Sequence, residues 1–297
     1  MRVTMNTMYD QINTDLGRIV EKQADTNTSI ASGRIYHRPS DAPVALTHAL
    51  NLRNSIQETK QYSRNIQYGK GWVETSESAL QQIQDRLIRA KTLAIQGANG
   101  TLSSSDRKTL AKEVAYILEE TVALGNTRLG NRYIFGGTKT TGYETNRRPF
   151  VLNDDGTVEY DGNNDALSID VASNVTQTIG LDGKKLQDSK VFEALDLLHD
   201  ALNANSDAGI RDAMGELDKA IANIADLTAI LGAQANTLEN KDEMAETLTV
   251  TNTERLSDLE DTDILEAITK LRTLETTYQA ALASASKVMQ ISLANFI

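Results

Sequence analysis

ILEAITKLRTLETTYQAALASASKVMQISLANFI, residues 264–297, is the stretch that settles the architecture. It reads as one helix, about 50 Å long at ~1.5 Å per residue. Its apolar positions form two adjacent seams. One runs Leu271, Leu274, Tyr278, Ala281, Ala285, Val288 in steps of three and four; the other runs Leu282, Met289, Phe296 in steps of seven. Such spacing predicts coiled-coil packing against other helices, and the small residues Ala280, Ala281, Ala283, Ser284, Ala285 and Ser286 allow close approach. So long a helix at the end of the chain needs a neighbour.

The other end of the chain carries a thinner version of this pattern. Met1, Met5, Met8, Ile12, Leu16 and Ile19 recur at three- and four-residue steps, and Gln23 and Thr26 then dilute the stripe before Ile30. Burial of a large apolar side chain contributes roughly 1.5–3 kcal/mol, while ordering each residue costs about 1–2 kcal/mol in backbone entropy alone. A stripe this sparse leaves the terminal helices marginal even when paired. The expectation is that residues 1–40 and 258–297 are disordered in the monomer and become ordered in an assembly.

Between these ends the pattern alternates. A helix from about Tyr9 to Ala31 stops at Ser32-Gly33, and residues 32–43 make a bend in which Ser40 and Asp41 are candidate N-caps and Pro43 fits the first turn. Helix resumes from Val44 to Gly97, with Ile56, Ile66 and Trp72 as anchors and a seam of Leu80, Ile83, Leu87, Ala90 and Ala94. Gly69 and Gly71 predict a kink within it. Ser103 and Asp106 form a candidate capping box for a helix with the stripe Leu110, Val114, Ile117, Thr121, Leu124. After Tyr133 glycines punctuate short alternating runs, and Asp154-Asp155-Gly156 is placed as a hairpin turn between residues 150–152 and 157–160. Helix returns at Ser189, and from Ile210 to Ala245 the three-four alternation persists for five heptads.

The predicted fold is mainly α. An elongated antiparallel helical bundle or coiled coil is formed by the N- and C-terminal halves, with a small inserted β-rich domain. Its parts are terminal helices at 1–40 and 258–297, a helical rod at 41–137 and 188–257, and a β-rich insertion at 138–187. Folded back on itself in this way, the chain has both termini at one end of a rod and the insertion at the other.

Composition narrows the function. The 297 residues are 40% hydrophobic and only 5% aromatic, contain three prolines and carry a formal net charge of −11; mean hydropathy is −0.38. Without a basic run, that charge argues against a nucleic-acid surface. Cysteine is absent, which excludes disulfides, thiolate nucleophiles and cysteine metal sites. The opening MRVTMNTMYDQIN lacks the apolar core of a secretory signal, and no stretch approaches the ~20 apolar residues of a membrane span.

No chemistry stands out. His37, His48 and His199 are far apart and read as surface or bend residues. NDDGTVEYDGNND fails as an EF-hand loop, because placing Gly156 or Gly162 sixth puts Val151 or Thr157 first. Gly125 and Gly130 have P-loop spacing, but Asn131 occupies the lysine position. Glu254, Asp258, Glu260 and Asp261 read as an exposed acidic helix segment. No catalytic residue, metal site or cofactor is predicted, and nothing selects an enzyme.

Several stretches carry a resemblance: MRVTMNTMYDQINTDLGRI at the start, SGRIYHRPSDAP at the bend followed by ALNLRNSI and QYSRNI, ESALQQIQDRLIRAKTLAIQGANGTLSSSDRKTLAKEV, NTRLGNRYIFGGTKT, and the ending LETTYQAALASASKVMQISLANFI. They cover most of residues 1–140 and 190–297. In combination they resemble the flagellin superfamily and, within it, the hook–filament junction family, since a short β unit rather than a large variable region follows NRYIFGGTKT. Many members have two adjacent acidic residues where this chain has Asp41-Ala42, so any role of the second carboxylate does not carry over.

The resemblance implies a structural component of the extracellular bacterial flagellum that joins the hook, through the first hook-associated protein, to the flagellin filament and templates filament growth. It implies terminal helices intertwined in an inner tube, an outer rod and an outward β unit. Partners so implied are the first hook-associated protein, flagellin, other copies of the chain in a ring, an export chaperone and the type III export apparatus, with no nucleic acid and no membrane span. Export proceeds without signal cleavage. The assembly interface is assigned to Met5, Met8, Ile12, Leu16, Leu282, Met289 and Phe296. A flagellin proper and, in another class, a type III secreted translocator or tip protein are the alternatives.

Overall fold

The computed structural model describes the backbone of residues 5–38, 40–143 and 147–294, and side chains over 7–38, 40–143 and 147–287. The helices are α1 (Met5–Ser32), α2 (Pro43–Gly97), α3 (Ser104–Gly125), α4 (Gly183–Asp188), α5 (Val191–Asn203), α6 (Asp207–Glu260) and α7 (Ile264–Ala294). Six short strands form three separate antiparallel pairs: β1 (Arg128–Leu129) with β2 (Arg132–Tyr133), β3 (Phe150–Leu152) with β4 (Val158–Tyr160), and β5 (Leu167–Ala172) with β6 (Val175–Ile179). The chain divides into two compact units. Unit 1 comprises residues 1–58 and 248–297; unit 2 comprises residues 59–247 and contains every one of these strands.

Unit 2 holds the hydrophobic core, and strict heptads build it. Ile66, Val73, Leu80, Leu87 and Ala94 on α2, and Ile210, Leu217, Ile224, Leu231 and Leu238 on α6, are all 0% exposed. Seven-residue spacing returns the side chain to the same helix face, so one seam stays inward over the whole length. α5 packs on α3 and adds Leu195, Leu198 and Leu202. Phe150, Val171, Ile179, Leu181 and Leu186, from within the segment 138–187, belong to the same core cluster.

Local signals read from the sequence are realised in unit 2. Ser103 Oγ accepts the Asp106 N–H while the Asp106 carboxylate accepts the Ser103 N–H, a complete capping box. The β3–β4 hairpin closes through Asn153 N–H donating to the Thr157 carbonyl, with Gly156 at φ +89°. α2 runs through Gly69 and Gly71 as one unbroken helix, so neither glycine interrupts it. A Cβ on Gly69 would lie 2.6 Å from Ile169 Cδ1 and 3.2 Å from Ile179 Cγ2. That glycine makes room for the β5–β6 hairpin to lie on α2. Gly180, at φ +69°, brings the chain over Trp72, where a Cβ would lie 2.5 Å from the indole nitrogen.

In unit 1, α1 packs along α7. The chain between α1 and α2 is tied to the chain between α6 and α7: Ile35 N–H donates to the Glu260 carbonyl at 2.8 Å and Thr262 N–H to the Gly33 carbonyl at 2.9 Å, with Arg34 bridging Asp261. Pro43 opens α2 in the first helical position, and Leu46 N–H reaches the Ala42 carbonyl. Asp41 therefore caps no helix. Its carboxylate closes the preceding turn by accepting the N–H groups of Arg38 at 2.9 Å and His37 at 3.3 Å, and these bonds, Arg38 foremost, hold it below the ordinary carboxylate range.

Candidate assembly interface

Unit 1 has helices without a core. Among its described residues the buried hydrophobic side chains are Ala49, Ile56, Ala267 and Ala285. Three alanines and one isoleucine remove little apolar area from water. Along α7 the first seam is the covered one: Leu271, Leu274, Tyr278 and Ala281 are half-buried and Ala285 is buried. On the second seam the described side chain, Leu282, is 43% exposed. On α1, Ile12, Leu16 and Ile19 are half-buried, whereas Met8 and Val20 face water.

Of the seven residues assigned to the interface, Met8 and Leu282 are thus exposed and Ile12 and Leu16 are half-buried on α1. Met5 and Met289 have described backbone within α1 and α7, but their side chains lie outside the described residues, and Phe296 lies outside altogether. The exposed apolar surface of unit 1 also extends past these positions. Val44 and Leu50 at the start of α2, Val250 on α6, and Ile264 and Leu265 at the start of α7 are all more than half exposed, Leu265 reaching 79%. Sequence reasoning missed these because each stands alone or beside a helix end, outside any periodic stripe.

Besides Ala49, Ile56, Ala267 and Ala285, the described residues that unit 1 buries are polar. Two heptads past Leu238 the seam of α6 arrives at Asn252, buried, whose Nδ2 donates to Ser55 Oγ at 3.1 Å. Glu260, at the end of α6, is 6% exposed and pairs with Arg53 of α2. The expectation of an exposed acidic segment is therefore corrected at this residue. Arg53 and Glu260 are 207 positions apart, so no local pattern links them; the only signal is Ile56, one turn along from Arg53, which marks the inward face. Beside this pair an open recess of about 560 Å3 lies among α1, α7 and their linkers, lined by charges of both signs including Lys22, Asp25, Glu266 and Lys270. Polar contacts and open space give register without much stabilisation.

Groups with chemical potential elsewhere are surface features. Ser29 Oγ lies 3.1 Å from His37 Nε2, but both are solvated and the ring has no described carboxylate partner. On α5, Asp196, His199 and Asp200 bring their ligating atoms within 4.8 Å of one another. Helical i, i+3, i+4 neighbours do so by geometry alone, and Asp200 is 74% exposed. Among the described residues no helix is long and apolar enough to cross a membrane.

Residues 3–140 match the bacterial flagellin N-terminal helical region, and residues 214–297 match the bacterial flagellin C-terminal helical region. Flagellar hook-associated protein 3 of Escherichia coli (strain K12) is 28% identical over an alignment of 323 residues that takes in 99% of this chain and 98% of that one. The crystal structure of flagellar hook-associated protein 3 from Legionella pneumophila superposes with a TM-score of 0.63 at 15% identity, covering 70% of this chain and 98% of that one. FlgL of Bacillus cereus gives 0.59 at 22% identity, over 70% and 99%. These two structures share the fold. With the family's two helical regions matched over residues 3–140 and 214–297, the chain belongs to the flagellin family.

Proposed function

We propose that this protein is a structural component of the bacterial flagellum that joins the hook to the flagellin filament and provides the surface on which the filament grows. The observation that carries the reading is the contrast between a saturated core in unit 2 and the apolar surface left open in unit 1. Alignment over the whole length of a hook-associated protein 3 supports placing the chain at the hook–filament boundary. The step is coupled association: copies present seams that no single chain covers, and burial between copies supplies the missing stabilisation. In this reading residues 1–40 and 258–297 form an inner coiled-coil tube, residues 41–137 and 188–257 an outer rod, and 138–187 faces outward. The chain acts outside the cell after type III export, with the first hook-associated protein on one side and flagellin on the other. No catalytic step is part of it.

Leu282→Asp in the full chain tests this. The expected result is loss of binding to isolated hooks that carry the first hook-associated protein, with the main thermal transition unchanged. Wild-type-like binding by that variant overturns the interface. Wild-type chain that polymerises into long filaments by itself, rather than adding a short zone to hook ends, assigns it to the filament instead.

A further inference from the structure

In a chain of net charge −11, the segment around β1 and β2 and the lead-in to β3 is cationic. It carries Arg128, Arg132, Lys139, Arg147 and Arg148 against one carboxylate, Glu144, which lies outside the described residues. Arg128, Arg147 and Arg148 line an open recess of about 310 Å3, together with Asn131, Tyr133 and Tyr143. The arginine at its base is held in place: the Arg128 guanidinium lies 4.1 Å from the centroid of the Tyr133 ring and donates to its hydroxyl. Tyr143 is likewise anchored, its hydroxyl donating to the Lys139 carbonyl at 2.8 Å. Among the described residues the only carboxylate in ion-pair range of the recess is Asp161, 3.6 Å from both Arg147 and Lys139. Among the described residues Arg128 and Arg148 have none. The anchored Arg128 guanidinium, with those of Arg147 and Arg148 lining the same recess, offers fork geometry suited to carboxylates.

The opposite charge is concentrated at the other end of the same hairpin. Asp154 and Asp155 form the β3–β4 turn, and this turn rests on α5 so closely that a Cβ on Gly156 would overlap the Asp196 carboxylate, with Asp200 one turn further on. Burial, and then the neighbouring Asp200 charge, push the Asp196 carboxyl above its ordinary range. His199 is the one basic side chain among them. From Arg148 to Asp154 is six residues, on the order of 20 Å of extended chain. That exceeds the Debye length of about 8 Å at physiological ionic strength, so the two patches do not neutralise each other within one chain.

We propose that the Arg128–Arg147–Arg148 recess receives the acidic hairpin turn, Asp154 and Asp155 with Asp200, of a second copy of this chain. Because the two patches differ, the contact is head-to-tail rather than two-fold, the type that closes into rings or continues as a helix. It lowers the repulsion that copies of a strongly acidic chain otherwise feel on assembly. The inference rests on the assembly reading above and adds a specific lateral contact to it.

The experiment uses full-length chains and isolated hooks carrying the first hook-associated protein. Arg147→Glu/Arg148→Glu and Asp154→Arg/Asp200→Arg alter exposed side chains, so each variant keeps the wild-type thermal transition. Each alone is expected to bind hooks roughly tenfold or more weakly than wild type. An equimolar mixture restores binding, since reversed recess meets reversed turn. Wild-type-like binding by either double variant, or no restoration on mixing, overturns the contact. Loss confined to the recess variant also overturns it, and points to an acidic partner other than a second copy. Wild-type chain that fails to bind hooks refutes the assembly reading itself, so the two failures are distinguishable.

Discussion

Units 1 and 2 are built on the same two long helices and differ in what those helices bury. In unit 2 the facing seams of α2 and α6 hold Ile, Leu, Val and Ala at positions that are 0% exposed. In unit 1 the continuing helices present Asn252 with Ser55 and Glu260 with Arg53. The first arrangement contributes stability in proportion to apolar area. The second specifies register and contributes little, because polar groups must be desolvated before they pair. A helix pair can thus change from an apolar core to a sparsely buried, polar pairing without any break in its backbone.

The largest expected effect lies in unit 2. Leu217→Ala should lower unfolding free energy by about 2–5 kcal/mol, read as a lower urea midpoint at unchanged slope. The same truncation at half-buried Ile12 should leave that transition in place. Equal losses at the two sites would break the comparison.

An intermediate effect is expected at the polar clasp of unit 1. Glu260→Ala removes a charge-assisted bond and leaves Arg53, only one-third exposed, without its partner, at a cost of roughly 1.5–3 kcal/mol. The exposed pair Lys91–Asp218 of unit 2 provides the control; Asp218→Ala should cost about 0–1 kcal/mol. Hydrogen exchange over residues 33–42 and 261–263 should speed up in the first variant and not in the second.

The smallest effect is at Asp41. Accepting two backbone N–H groups depresses its folded-state pKa, so its contribution is complete above the ordinary value of 3.8 and is lost as pH falls below that value through the depressed one. Protease cleavage within residues 33–42 should therefore increase near pH 3. Asp41→Asn should show the same sensitivity at pH 7, and an unchanged cleavage profile would remove Asp41 from the linker turn.

Much of this architecture was legible in the residues because it depends on local periodicity. Heptad spacing predicted α6, Ser103 with Asp106 predicted the start of α3, and Asp154-Asp155-Gly156 predicted the hairpin. Each of these is set by neighbours within about one turn or one hairpin. Gly69 acts over a longer range: its lack of a side chain makes room for a hairpin a hundred residues downstream, and the helix continues through it.

By itself the sequence determined the long helices and their apolar seams, but not the short helix α4 at Gly183–Asp188 or the β1–β2 pair at 128–133, which fall where it placed a β-rich insertion and a helical rod. Only the tertiary structure decided that Glu260 is buried against Arg53, that the two linkers bond to each other, and that Arg128, Arg147 and Arg148 surround one recess while Asp155 and Asp196 crowd together. The physical reason is range. A helix or turn is stabilised by bonds among adjacent residues, whereas burial of a charge or convergence of like charges depends on segments that meet only after the chain has folded.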